Sequence, residues 1–120
     1  MKTGVLGIGV DIVDINRVRH WYSDQLMMDY LFTKKEQLTI KGCRNSERLV
    51  ASFFAVKEAV FKASNGLLSR AGFKDIEIIR AKKNCYTVKL KPEYVGEVQA
   101  LISLSFTSEI AMAKAVLLKR

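Results

Sequence analysis

The stretch FFAVKEAVFKAS, residues 53–64, decides the fold. Read as a helix from Leu49 onward, at about 100° per residue, it puts Leu49, Phe53, Val56 and Val60 on one apolar stripe. Val50, Phe54 and Phe61 make a second stripe beside it. Two such stripes mean a helix covered over most of its circumference. Glu58 and Lys62 fall on the remaining strip, one turn apart, with Ala51, Ala55 and Ala59 around them. Small residues beside two charges suggest room for a ligand over that strip. The plain alternative is a solvated i,i+4 pair worth about 0.2–0.5 kcal/mol.

Punctuation on either side sets the bounds of this helix. Ser46 is the expected cap of a helix over 47–63, and Asn65-Gly66 stops it. Upstream, Thr33 to Glu36 reads as a capping box opening a short helix. Residues 4–13, GVLGIGVDIV, are rich in strand formers and interrupted by Gly7 and Gly9. Glycine inside a strand marks close approach of a backbone or a ligand. Asp14 can cap a helix over 15–30, where Ile15, Val18, Tyr22 and Leu26 recur at helical spacing. Downstream, 73–82 and 85–91 read as a hairpin turning at Lys83-Asn84. After Pro92 a short irregular or helical piece is expected. ALISLSF and IAMAKAVLLK then form a last pair of strands joined by Thr107, Ser108 and Glu109. Strand, helices, then strands is an α+β order, with a largely antiparallel sheet packed against the long helix.

Bulk properties narrow the function classes. The chain has 120 residues, 49% of them hydrophobic, with one proline and seven glycines. That suits one domain over 1–120 with one core and no linker. The net charge of +8 favours polyanionic partners such as a nucleotide, nucleic acid, an acidic protein or a membrane surface. The basic residues are spread along the chain, which weakens the nucleic-acid reading. The apolar run Gly4 to Val10 ends at Asp11, and no stretch reaches membrane-spanning length. Cys43, Cys85 and the single His20 make neither a disulfide framework nor a zinc site. The expected setting is the reducing cytoplasm, with no nucleic acid and no membrane as partner.

Asp11 is the residue that changes the reading of Glu58 and Lys62. A carboxylate in an apolar strand is costly unless it is paired or holds a metal. Two hard carboxylates and a lysine suit a Mg²⁺–phosphate site, because Mg²⁺ takes one or two protein carboxylates and fills its other positions with water and phosphate. The lysine would then neutralise phosphate charge. A turn, or a local ion pair with Arg17, is the alternative for Asp11.

GIGVDIVDINR (7–17) and FFAVKEAVFKA (53–63) together resemble the motifs of the 4'-phosphopantetheinyl transferases, more narrowly the short holo-[acyl-carrier-protein] synthase type. Gly7, Gly9, Asp11, Ile12 and Arg17 match the family's first pattern. Phe54, Ala55, Lys57, Glu58, Ala59, Lys62 and Ala63 match its second, with 47 residues from Asp11 to Glu58. FTKKE, FKDIEI and SLSFTSEIAMAKAVL also resemble family stretches, so the likeness runs in order along nearly the whole chain.

The resemblance implies the phosphopantetheinyl transferase fold and its reaction. Coenzyme A gives its phosphopantetheine arm to a serine of an acyl carrier protein, leaving adenosine 3',5'-bisphosphate. It implies Asp11 and Glu58 as ligands of Mg²⁺, and Lys62 as the phosphate contact; these three are the expected catalytic residues. It implies Glu58, or a water held by the metal and carboxylates, as acceptor of the serine proton. Asn65 and Gly66 fall where the family meets the nucleotide, and Arg17 and Arg19 where it faces the acidic carrier. A homotrimer with sites at subunit interfaces is implied too.

The chain also departs from the family pattern. Phe106 stands where a histidine is usual, and Phe53 where an arginine is common. HWYSDQLMMDY replaces an arginine-bearing helix, KKNCY an Asn-Gly-x-Pro hairpin, and NGLLSR a Gly-rich loop. Two readings follow. One is an active transferase serving a non-standard carrier of a polyketide or fatty-acid-like pathway. The other is a non-catalytic relative kept as a trimeric or heteromeric binding partner. Retention of Asp11, Glu58 and Lys62 together favours the first.

Overall fold

The computed structural model describes residues 4–119; residues 1–3 and 120, the ends of the domain expected over 1–120, lie outside the described residues. Strand β1 (Gly4–Asp14) leads into a one-turn helix α1 (Ile15–Val18), a 3₁₀ turn (Arg19–Ser23) and helix α2 (Gln25–Leu31). Helices α3 (Lys34–Lys41) and α4 (Ser46–Ala63) follow. A 3₁₀ turn (Phe73–Asp75) precedes strands β2 (Ile76–Lys82) and β3 (Cys85–Leu90). The short helix α5 (Pro92–Val95) and strands β4 (Val98–Phe106) and β5 (Ile110–Lys119) complete the order. The architecture is α+β, as its sequence pattern implies. The antiparallel strands form two sheets: a three-stranded one ordered β1-β5-β4 and the hairpin β2-β3.

The structure corrects three boundaries. The helix expected over 15–30 is broken in two places. Val18 leaves helical geometry at φ −111°, ψ 2°, and Asp24 is extended at φ −104°, ψ 99°. Asp24 takes the break because its carboxylate accepts from the backbone N–H of Met27 at 3.2 Å and starts α2 afresh. Asn45, not Ser46, caps α4, accepting from the N–H of Arg48 at 3.0 Å. The Ser46 hydroxyl instead donates backwards to the carbonyl of Ile40 at 2.7 Å. In the third case, the first residues of the strand expected over 73–82 form a 3₁₀ turn, closed by Asp75 accepting from the N–H of Gly72 at 2.8 Å. Phe73 is held there by ring contacts with Phe54, Phe61 and Tyr30. The capping box stands as expected, with Thr33 and Glu36 bonded reciprocally. The hairpin turns at Asn84, at φ 61°.

The alanine strip of α4 is a packing seam, not space for a ligand. Ala51, Ala55, Ala59 and Ala63 are all fully buried. Strand β1 crosses α4 so closely that a methyl group on Gly7 would overlap the carbonyl of Ala63, and one on Gly9 the carbonyl of Ala59. Strand β5 meets the same need with Ala111, Ala113 and Ala115 buried along one face. Small residues on both surfaces let backbone approach backbone, which is why the helix wheel leaves them looking empty.

On the other side α4 carries a buried ion pair. Lys57 is fully buried, and its ammonium donates to Glu36 Oε1 at 2.7 Å and to the carbonyls of Leu31 and Phe73, each at 2.9 Å. Glu36 also accepts from the N–H groups of Thr33 and Ile78, both at 2.8 Å. One pair thus ties α2, α3, α4 and β2 together. Burial pushes the Glu36 carboxyl up and the Lys57 ammonium down, and their mutual attraction opposes both shifts. Removing one partner strands the other. Lys57→Met is expected to cost about 3–5 kcal/mol in urea unfolding, and Glu36→Gln with Lys57→Met to recover part of that loss. A single variant as stable as the parent would show that the pair does not hold these elements.

Candidate active site

The β1–α4 seam aligns the charged residues. Two residues along a strand advance about 6.7 Å, and four along a helix about 6 Å. Gly9 lies on Ala59 and Gly7 on Ala63, so the strand climbs α4 at nearly one helical turn per two residues. The next position on that face is Asp11, which lines one cleft with Glu58. The Lys62 ammonium reaches back to Asp11 Oδ1 at 2.9 Å and to the carbonyl of Val10 at 3.1 Å. The partner of Asp11 is therefore Lys62, not the sequence neighbour Arg17.

An open cleft of about 400 Å³ lies beside this pair. Its lining includes Asp11, Asp14, Arg17, Trp21, Phe54 and Glu58. The Trp21 and Phe54 rings meet edge to face, 5.0 Å apart, and form an apolar wall. Glu58 is half-buried, and its carboxyl is pushed above the ordinary range by burial and then by the negative charge of Asp11, with Lys62 opposing. A divalent cation would relieve both effects. Two hard carboxylates in an open, solvent-fed cleft fit an ion such as Mg²⁺, which keeps water and phosphate as its other ligands. Among the described residues there is no group of three His, Cys, Asp or Glu side chains poised as a closed metal cage.

The other expected site residues are placed less uniformly. Arg17 faces the cleft. Arg19 turns away, donating to Glu47 at 2.7 Å and to Asn16 at 2.9 Å, and so staples the 3₁₀ turn after α1 to the start of α4. Asn65 and Gly66 take left-handed backbone at φ 49° and 90° just past α4. The Asn65 amide donates to the carbonyl of Leu6 at 2.6 Å, and neither residue lines the cleft.

Phe53 is fully buried, its ring 5.5 Å from that of Tyr86 and 6.5 Å from that of Phe32. It is a core residue in this chain. Phe106 is exposed and carries the Arg48 guanidinium over its ring at 3.9 Å. Sequence reasoning missed this stack, since 58 positions separate the two residues and Phe106 reads only against the family's histidine. It also missed Asp14 as a cleft carboxylate, reading only its cap, which the structure retains at 3.0 Å to the N–H of Asn16.

The chain is similar to known proteins along nearly all of its length. A sequence model of the 4'-phosphopantetheinyl transferase superfamily matches residues 7–114. A holo-[acyl-carrier-protein] synthase of Chlamydia felis is 39% identical over 117 residues, covering 92% of this chain and 95% of that protein. The enzyme of the same name from Natranaerobius thermophilus is 31% identical over 121 residues, covering 94% and 97%. The crystal structure of a holo-(acyl-carrier-protein) synthase from Bacillus anthracis, in complex with CoA (3',5'-ADP), superimposes with a TM-score of 0.82 at 28% identity, covering 97% of this chain and 98% of that one. The motifs that converge on the cleft lie inside the matched span, and the fold is shared from end to end. The chain belongs to the 4'-phosphopantetheinyl transferase superfamily, as an enzyme of the short holo-[acyl-carrier-protein] synthase type.

Proposed function

We propose that this chain transfers the 4'-phosphopantetheine arm of coenzyme A to a serine of an acyl carrier protein, with Mg²⁺, releasing adenosine 3',5'-bisphosphate. The observation that carries the reading is that Asp11 from β1 and Glu58 from α4 line one cleft, with Lys62 bonded to Asp11 at its side. The serine oxygen forms a bond to the phosphorus on the pantetheine side, and the phosphoanhydride bond breaks. Asp11 and Glu58 would hold Mg²⁺, which supplies charge neutralisation at the diphosphate when bound. A Glu58 carboxylate oxygen takes the serine proton, directly or through a water. The Lys62 ammonium offsets charge on the leaving phosphate. Trp21 and Phe54 wall one side of the cleft against solvent.

The partners follow from surface chemistry. An acidic carrier suits a +8 chain, and Arg17 is the arginine best placed to meet it, since Arg19 is held by Glu47. We assign the chain, as one transferase domain over 1–120, to the reducing cytoplasm, which its two free cysteines suit. No helix among the described residues is long and apolar enough to cross a membrane. The outer face of the β1-β5-β4 sheet leaves Ile8, Val10, Ile12, Leu101 and Met112 exposed, a face available for association between copies; the homotrimer itself follows from the family resemblance.

The decisive assay incubates the chain with Mg²⁺, coenzyme A and a panel of apo carrier proteins and weighs the carriers. Gain of a phosphopantetheine mass on any carrier is expected. No transfer to any of them, with no coenzyme A binding, would favour the non-catalytic binding partner instead. Glu58→Gln should lower transfer about 100-fold or more with unchanged circular dichroism, and chelation of divalent cations should abolish it. Full activity of that variant would remove Glu58 from the site. Sedimentation should show trimers of the parent and smaller species for Ile12→Glu; a parent that runs as a monomer would refute the assembly.

A further inference from the structure

The ammonium of Lys62 lies where a metal ion bound to Asp11 would compete with it. It donates to Asp11 Oδ1 at 2.9 Å while also held by the Val10 carbonyl at 3.1 Å. The two partners differ in freedom. The Lys62 side chain is 53% exposed and the Asp11 side chain only 15%. An exposed lysine on a flexible stem leaves a carboxylate cheaply. A largely buried carboxylate left without any cation is far more costly. Exchange of one cation for another is therefore favoured over a bare Asp11. The same ammonium is the phosphate contact in the transfer reaction, and donors held by Asp11 and Val10 are not free for phosphate.

We propose that Lys62, besides its phosphate contact, occupies the Asp11 metal position in the free protein. It cedes that position to a divalent cation as a diphosphate draws its ammonium away. This rests on the functional reading above and adds an order to it. Metal alone meets a competing ammonium, and diphosphate alone must pull Lys62 from a carboxylate. Together each removes the obstacle to the other, so the two ligands bind with positive coupling. Before either arrives, Lys62 keeps Asp11 compensated and aimed at the cleft.

Metal binding without turnover tests this. Free Mn²⁺ is titrated against the full chain by electron paramagnetic resonance, with no nucleotide present. Lys62→Met and Lys62→Gln should each bind Mn²⁺ about fivefold more tightly than the parent. Lys62→Arg keeps an ion pair to Asp11 and should stay within about twofold of the parent. Arg17→Met removes a positive charge from the same cleft but not the partner of Asp11, and should also change affinity by less than about twofold. Coenzyme A should then raise Mn²⁺ affinity more in the parent than in Lys62→Met. Equal or weaker binding by both neutral Lys62 variants would overturn the proposal, as would a gain for Arg17→Met as large as theirs. Phosphopantetheine transfer by the parent is measured separately, so loss of this inference and loss of the transferase reading give different results.

Discussion

Two glycine residues lying on the carbonyls of a helix hold this site together. Gly7 and Gly9 bring β1 against Ala63 and Ala59 more closely than any side chain would allow. That contact fixes the height at which Asp11 meets α4, and hence which helical residues it meets. Buried alanines on β5, Ala111, Ala113 and Ala115, leave the neighbouring strand equally small there. With larger residues at these positions, strand and helix would stand further apart and the 2.9 Å contact from Lys62 to Asp11 would be lost.

A helix gripped along one strip still needs its rotation set. Lys57 does that from the far side, because its buried ammonium is bound to Glu36, Leu31 and Phe73. Glu58 follows it in the chain and points about 100° around the axis, toward the cleft. One helix thus carries a cation locked inside for architecture and another, Lys62, left exposed for exchange. Their burial alone separates the two tasks: fully buried for Lys57, half-exposed for Lys62. The sequence motif joins these residues on one line, and the fold distributes them to opposite sides.

Much of this was legible before any coordinates. The strand over 4–13, the capping box at Thr33, the long helix, the hairpin and the final strand pair follow from periodicity and turn chemistry. The α+β order follows from them. The need of Asp11 for a partner was legible because a carboxylate in an apolar strand is costly alone, and the structure supplies Lys62. What was not legible came from tertiary contacts. Helical spacing of Ile15, Val18, Tyr22 and Leu26 hides the restart at Asp24, since a cap inside a periodic run leaves the period almost unchanged. The alanines of α4 looked like vacant space because a wheel shows side-chain size and not what packs on it. Lys57 matched a motif, yet nothing in its spacing revealed burial, because Glu36 lies 21 residues away. Phe53 and Phe106 read alike as missing basic groups, but one fills the core and the other is a platform for Arg48.

Anomalous diffraction from crystals grown with Mn²⁺ and coenzyme A tests the central claim most directly, that Asp11, Glu58 and Lys62 form one working site. The expected map has a Mn²⁺ peak at the Asp11 and Glu58 carboxylates, with the Lys62 ammonium moved from Asp11 to the diphosphate. A peak elsewhere, or a diphosphate bound while Lys62 stays on Asp11, would contradict it.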